Sequence, residues 1–257
     1  RLPDIRRVGL DAPLRWLALG WADFRRAPIC AIAYGIGLAA ASYVIAGVLY
    51  FTGKFTWFLV LAGGFLIVAP ILGLGLYRAA DLLSRGARPT LRDMLLPPGA
   101  LRGDLVILGV ALFILFGIWA EAAYIIYGLS TSATHANVIE FLGFMILTPE
   151  GLQMAAIGTL VGGAIAFIAF SLVVVSAPML LARENDVFIA LITSVRSVIV
   201  NGPAMLFWAF LIAGLTMAGI GLALLGLVVV FPWIGFASWH AYKELVIHHP
   251  GAAARQG

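Results

Sequence analysis

Polar positions along this chain gather in short clusters, and long apolar runs separate them. Several charge-free runs exceed the roughly 18 residues that mark a bilayer-crossing helix. Their limits predict six spans, over residues 29–51, 55–77, 104–127, 152–181, 204–218 and 221–242. The last two share one run, Ala204 to Tyr242, with no fully charged side chain. As one helix it would be about 60 Å long, twice the ~30 Å hydrocarbon thickness, so it must fold back on itself. Ala218-Gly219-Ile220-Gly221 is the most flexible place for that turn, and Thr52-Gly53-Lys54 marks the first turn.

Shorter amphipathic segments lie between the runs. Asp11 as cap and Pro13 in the first turn predict a helix over 11–27. Leu14, Leu17, Trp21 and Phe24 fall on one face of it, with Arg15, Asp23, Arg25 and Arg26 elsewhere, the pattern of a helix lying in the membrane interface. Segments 90–96 and 187–200, the second capped by Asp186, read the same way, while residues 1–10 read as a mobile basic leader. The apolar piece 138–147 is too short to cross about 30 Å at 1.5 Å per residue, so it is expected to lie on, or dip into, the outer face. The predicted fold is thus an all-α integral membrane protein forming one polytopic domain. Its six transmembrane helices make three hairpins, each preceded by a short interfacial helix.

Two stretches are near-twins. Val68–Leu83 reads VAPILGLGLYRAADLL and Val230–Leu245 reads VFPWIGFASWHAYKEL. With Pro70 set on Pro232, Gly73 falls on Gly235, Tyr77 on Trp239 and Arg78 on His240. Each reads as a helix leaving the membrane through an aromatic and a basic residue, and the halves read as related repeats. Internal repeats are common in transporters, but gene duplication also builds membrane proteins that transport nothing.

Composition excludes a soluble protein. Of 257 residues 63% are hydrophobic and 11% charged, against roughly 25% charged in soluble domains, and the mean hydropathy is +1.06. A charged, helix-like segment precedes the first apolar run, which therefore reads as an anchor and not a signal peptide. The net charge of +4 is explained by topology: with both termini cytoplasmic, Lys54 alone of the 16 Lys and Arg residues falls outside. That distribution predicts contact of Arg25, Arg26 and Arg78 with anionic lipid head groups, not with nucleic acid. Trp57, Trp119, Tyr124 and Tyr127 fit an outer aromatic belt, and Trp21, Trp208 and Trp239 an inner one.

Candidate chemistry is sparse. Glu121 is an ionisable group inside a span, a functional hypothesis by default, yet it falls about 25 Å along its helix from Asp104, where a carboxylate reaches interfacial water. A proton or cation site and a plain interfacial residue both remain open for it. His135 with Glu140 is a weak metal signal, and the His248-His249 pair sits in the tail. Cys30 is a lone thiol read as packing. No histidine lies mid-span to ligate haem, and no hydrolase, P-loop, zincin or dinucleotide motif is present. No catalytic residue, cofactor or metal site is therefore predicted. Asp81 with Arg78 and Asp93 with Arg92 read as surface pairs. Gly158, Gly162 and Gly163, together with Gly214 and Ala218, form small-residue faces for helix packing or a partner chain. Val138, Phe141, Leu142, Phe144 and Met145 form an outer apolar docking segment. Pro70, Pro178 and Pro232 are expected to kink their helices near the cytoplasmic ends.

The six spans, the prolines before helix exits and the segment PILGLGLYRAADLLSRG resemble a bacterial inner-membrane family catalogued as domain of unknown function 2189, over about residues 10–245. Its members occur mainly in proteobacteria and are sometimes labelled cytochrome c oxidase subunit I. Taken literally, that label does not fit these residues, because the catalytic subunit has twelve spans and an intramembrane histidine set. The resemblance implies an association with respiratory or other energy-converting complexes. The first expectation is a non-catalytic accessory or assembly subunit of a larger membrane complex. The alternative is a small transporter or lipid-handling protein. A polar cavity reaching the midplane would mark transport, and a filled interior would mark an accessory subunit.

Overall fold

The computed structural model describes residues 2–54, 57–131, 138–182 and 186–247. Phe55, His135, Arg183 and the His248-His249 pair lie outside the described residues. The order is β1 (Asp4–Ile5), α1 (Ala12–Arg26), α2 (Pro28–Phe51), α3 (Trp57–Leu72), α4 (Leu74–Ser84), α5 (Leu91–Leu95), α6 (Gly103–Ser130) and α7 (Val138–Leu147). It continues with α8 (Pro149–Val173), α9 (Ser176–Ala182), α10 (Val187–Val200), α11 (Gly202–Gly221), α12 (Leu227–Leu245) and β2 (Val246–Ile247).

Among the described residues, four helices are long and apolar enough to cross a membrane: α2, α6, α8 continued into α9, and α11. A fifth crossing is available if α3 and α4, bent by 40° at Gly73, are one span. α12 has the length but not the apolarity, because Trp239–Leu245 is polar and packs among the short helices.

The bundle is tight at the end that carries most of the arginines and splays toward the other. In α2 the buried residues are Ala31, Gly35 and Ala39, all in its first half; in α6 they are Leu105, Leu108 and Leu112. Toward the splayed end Phe51 and Leu129 are almost fully exposed, as lipid-facing side chains are. At the basic end α1, α2, α4 and α9 pack on α12, with α5 against α4 and α10 against α9, burying Trp16, Trp208, Trp239, Tyr242 and Phe236 completely or nearly so. Trp208 and Trp239 are therefore core, not belt. Trp16 meets Trp208 edge-on at 5.6 Å between centroids, a preferred aromatic geometry.

The seat of α1 differs from expectation. Its buried face is Ala12, Pro13, Trp16, Leu17, Gly20, Asp23 and Phe24, whereas Leu14 and Trp21 are exposed. The hydrophobic face was misplaced because Gly20 is the contact point: a Cβ there would lie 2.6 Å from the Ala237 nitrogen of α12. Four polar links fix the pair. Trp16 Nε1 and the Arg15 guanidinium donate to Glu244 (2.7 and 2.8 Å), Trp233 Nε1 donates to the Leu17 carbonyl (2.8 Å), and His240 bonds the buried Asp23 (2.7 Å). The first residues are not mobile either. Asp4 and Ile5 pair antiparallel with Ile247 and Val246, and buried Asn201 bonds the Arg6 carbonyl and the Val8 amide.

Two other local features depart from the sequence reading. The last hairpin turns at 222–226, after the glycines, with Ala223 and Leu224 in the left-handed region at φ 52° and 65°. Gly219 is needed elsewhere, because the Cβ of any residue replacing Gly226 would lie 2.7 Å from its Cα. Asp93 is held by Thr90 in a capping box rather than paired with Arg92, and those hydrogen bonds keep its carboxyl below the usual range.

Close backbone approach sets the bundle's tight end. A Cβ at Gly35 would lie 2.1 Å from the Val228 carbonyl oxygen, whereas one at Gly37 meets nothing within 4 Å. Gly35→Ala should therefore destabilise the protein by about 1–3 kcal/mol through overpacking, while Gly37→Ala leaves it unchanged or slightly stabilised. Melting temperatures of the two variants in one detergent check this; equal values would contradict the close α2–α12 contact.

Candidate functional site: an apolar intramembrane cavity

Where the bundle splays, a cavity of about 1230 Å³ opens between α3, α6, α7, α8, α11 and α12. Small-molecule sites run from roughly 300 to 1,000 Å³, so this one accommodates a long apolar molecule. Among the described residues, no Asp, Glu, Lys, Arg or His lines it. α8 and α11 flank it without an extended contact between them. Their wall residues Leu160 and Phe210 are exposed, so the cavity opens sideways between these two helices.

Glycines and one tryptophan shape the opposite wall. Trp119 of α6 lies across Gly63 of α3 and Gly162 of α8, where added Cβ atoms would sit 2.9 and 2.5 Å from its ring. Its Nε1 donates to the Val60 carbonyl (2.8 Å), so the indole is fixed. Trp119 thus packs α6 against both α3 and α8, instead of floating in an outer belt. At Gly158 and Gly163 an added Cβ meets nothing within 4 Å, and both line the cavity.

The twin motifs close the inner end. Pro70, Gly73 and Tyr77 come from one copy, and Phe231, Ile234, Gly235 and Ser238 from the other. They meet directly: a Cβ at Gly235 would lie 2.5 Å from Leu76 Cδ1. Pro70 and Gly73 let the chain bend, and the Tyr34 hydroxyl donates to the Leu72 carbonyl at the bend (2.6 Å). A second break, between α8 and α9, leaves the Val175 amide to be taken by buried Ser194 of α10 (3.2 Å).

The structure distributes the expected site residues as follows. Glu121 is exposed on α6 and does not line the cavity. Phe141 is buried against Tyr127 (5.8 Å between centroids) and, with Met145, lines the cavity. Phe144 is half-buried, whereas Leu142 is exposed; of Val138 only the backbone is described. Gly214 and Ala218 are exposed on α11, unlike Gly162. Arg25 and Arg26 are exposed at the basic end, Arg26 lying 3.4 Å from Asp23. Arg78 is half-buried and bonded to Asp81 (3.0 Å), which Arg85 also holds. Among the described residues no group of three or more His, Cys, Asp or Glu is placed to hold a metal ion.

Residues 58–182 match the family model described as a predicted integral membrane protein, DUF2189. No curated protein and no solved structure matches the chain. The DUF2189 segment runs from α3 to α9 and supplies Trp119, both open glycines and Tyr77. It is shorter than the 10–245 expected, and it leaves the α11–α12 wall outside. What sequence reasoning missed was the cavity itself. Its signal was present, in small residues on α3 and α8 opposite a tryptophan.

The glycine geometry separates two neighbouring substitutions. Gly162→Leu drives a side chain into Trp119 and should cost about 1–3 kcal/mol, whereas Gly163→Leu projects into open space and should leave stability unchanged within about 0.5 kcal/mol. Thermal unfolding with Trp fluorescence as the readout distinguishes them. Equal losses at both positions would mean that the wall is not open at Gly163.

Proposed function

We propose that this is a non-enzymatic, multi-pass membrane protein that handles lipid, accommodating an apolar guest through the opening between α8 and α11. The supporting observation is a cavity of about 1230 Å³ whose wall, among the described residues, carries no ionisable Asp, Glu, Lys, Arg or His side chain. A route for ions or charged solutes would need polar walls, since a charge in hydrocarbon costs several kcal/mol even after relaxation. A purely structural subunit would need a filled interior. This cavity is neither, and an acyl or isoprenoid chain suits it. Glu121, turned away from the cavity, has no part in this reading.

The accompanying topology is six crossings, with α12 as the sixth, and both termini on the cytoplasmic side of a bacterial inner membrane. The clustering of the arginines around α1, α4 and α5, against Lys54 at the other end of α2, supports that orientation. Arg25 and Arg26, exposed at that end, then face anionic head groups. In a Cys30→Ser background, a cysteine at Lys54 should label with an impermeant maleimide in intact cells and one at Arg26 should not. The reverse pattern would overturn the orientation.

A second reading, an accessory or assembly subunit of a larger membrane complex such as an oxidase, has one observation in its favour. Leu142, Ile146 and Leu147 project from α7 away from the bundle. Mild-detergent purification decides between the two. On the lipid-handling reading, organic extraction and mass spectrometry recover about one lipid per chain, and Gly158→Leu with Gly163→Leu lowers that at least about fivefold without lowering the melting temperature. Recovery of one larger complex, with lipid content unchanged by the two leucines, would move the assignment to the accessory role.

A further inference from the structure

We propose that the cavity selects a long-chain guest ending in one uncharged oxygen, a hydroxyl above all, and that Tyr77 anchors it at the inner end. This rests on the cavity being a site for an apolar guest and adds the class of that guest.

Tyr77 sits in the first turn of α4, just past the 40° bend, and is 5% exposed. Its ring lies over Gly73, where an added Cβ would be 3.4 Å from the carbon bearing its hydroxyl, so the bend glycine makes room for it. Tyr77 lines the cavity, and among the described residues its hydroxyl has no hydrogen-bond partner. Buried tyrosine hydroxyls usually find one. The carbonyl at the bend, Leu72, accepts from Tyr34 (2.6 Å) and not from Tyr77. Ser238, on the same end of the cavity wall, gives its hydrogen to the Ile234 carbonyl (2.8 Å) and so offers the cavity only acceptor lone pairs.

At the inner end one wall therefore offers a phenolic donor and the other an acceptor, whereas the other hydroxyls of the lining, on Tyr124, Tyr127, Thr159 and Thr216, lie toward the splayed end. A hydroxyl matches both, accepting from Tyr77 and donating to Ser238. An alkane matches neither, and a carboxylate or ammonium head would be stranded without a counter-charge. A hydroxyl-ended chain is the class left.

The test uses purified full-length protein in one detergent and three radiolabelled probes of equal chain length: 1-hexadecanol, hexadecane and hexadecanoate at pH 9. Bound label is counted after gel filtration. Wild type should bind hexadecanol about tenfold more tightly than the other two, the equivalent of ~1.4 kcal/mol. Tyr77→Phe should erase the preference for hexadecanol over hexadecane while leaving hexadecane binding unchanged, which also shows that the variant is folded. Gly163→Leu should weaken both. Equal binding of hexadecanol and hexadecane by wild type, a preference that survives Tyr77→Phe, or tighter binding of hexadecanoate would each overturn the head-group assignment and leave the cavity reading standing. Failure of all three probes to bind, or binding indifferent to Gly163→Leu, would overturn both.

Discussion

α12 touches three other helices at once because glycine removes a side chain at each crossing. Gly20 of α1 meets the backbone at Ala237, Gly35 of α2 meets the carbonyl of Val228, and Gly235 of α12 itself receives Leu76 of α4. Between lipid-facing helices there is no hydrophobic drive to associate, since acyl chains are as apolar as leucine. Close backbone contact and buried hydrogen bonds must supply the attraction. The second kind is concentrated at the same end, in the Asp23–His240, Trp16–Glu244 and Asn201 links. The layer of short helices is thus clamped to α12 at one end and the long helices are held by contact with it, while α7 is held by α8.

The clamp explains the shape of the rest. On one side of the gap Trp119, seated over Gly63 and Gly162, holds α6 against α3 and α8. On the other faces small residues find no partner, as Gly158, Gly163 and Gly214 show. In water such a gap would collapse or take up water if its walls were polar. Beside a bilayer, an apolar gap that opens sideways is solvated by hydrocarbon at little cost.

The apolar runs were legible in the sequence because membrane spans obey a length rule that tertiary context rarely overrides, and Asp186 and Thr90 cap their helices by local chemistry that sequence carries. Other features depend on distant partners. Leu14 and Trp21 look like the buried face of α1, but the face is chosen by Gly20 and Trp16, whose partners lie more than 200 residues away on α12. The turn at Ala223–Leu224 was unreadable for a similar reason. Glycine was expected to make it, yet Gly219 and Gly226 are committed to the contact between the two helices. Small residues on α8 announced a close contact. Which of them would meet Trp119 and which would face a cavity depends on how α6 seats against α8, and periodicity does not encode that.

The twin motifs bear on why the cavity has a polar point at all. Both copies place an aromatic four residues after the shared glycine, Tyr77 in one and Trp239 in the other. Trp239 is 2% exposed and packs on Tyr242 at 5.4 Å between centroids, an ordinary core contact. Tyr77 turns instead over the bend glycine and reaches the cavity. The first copy breaks at Gly73, whereas α12 runs unbroken past Pro232 and Gly235, because the latter is filled by Leu76. A phenylalanine at residue 77 would seal the inner end equally well, so the hydroxyl is what Tyr77 adds. It is not among the enclosed polar atoms of the described residues that lack a partner, Arg78 Nε and Trp208 Nε1, and so is open to a molecule in the cavity.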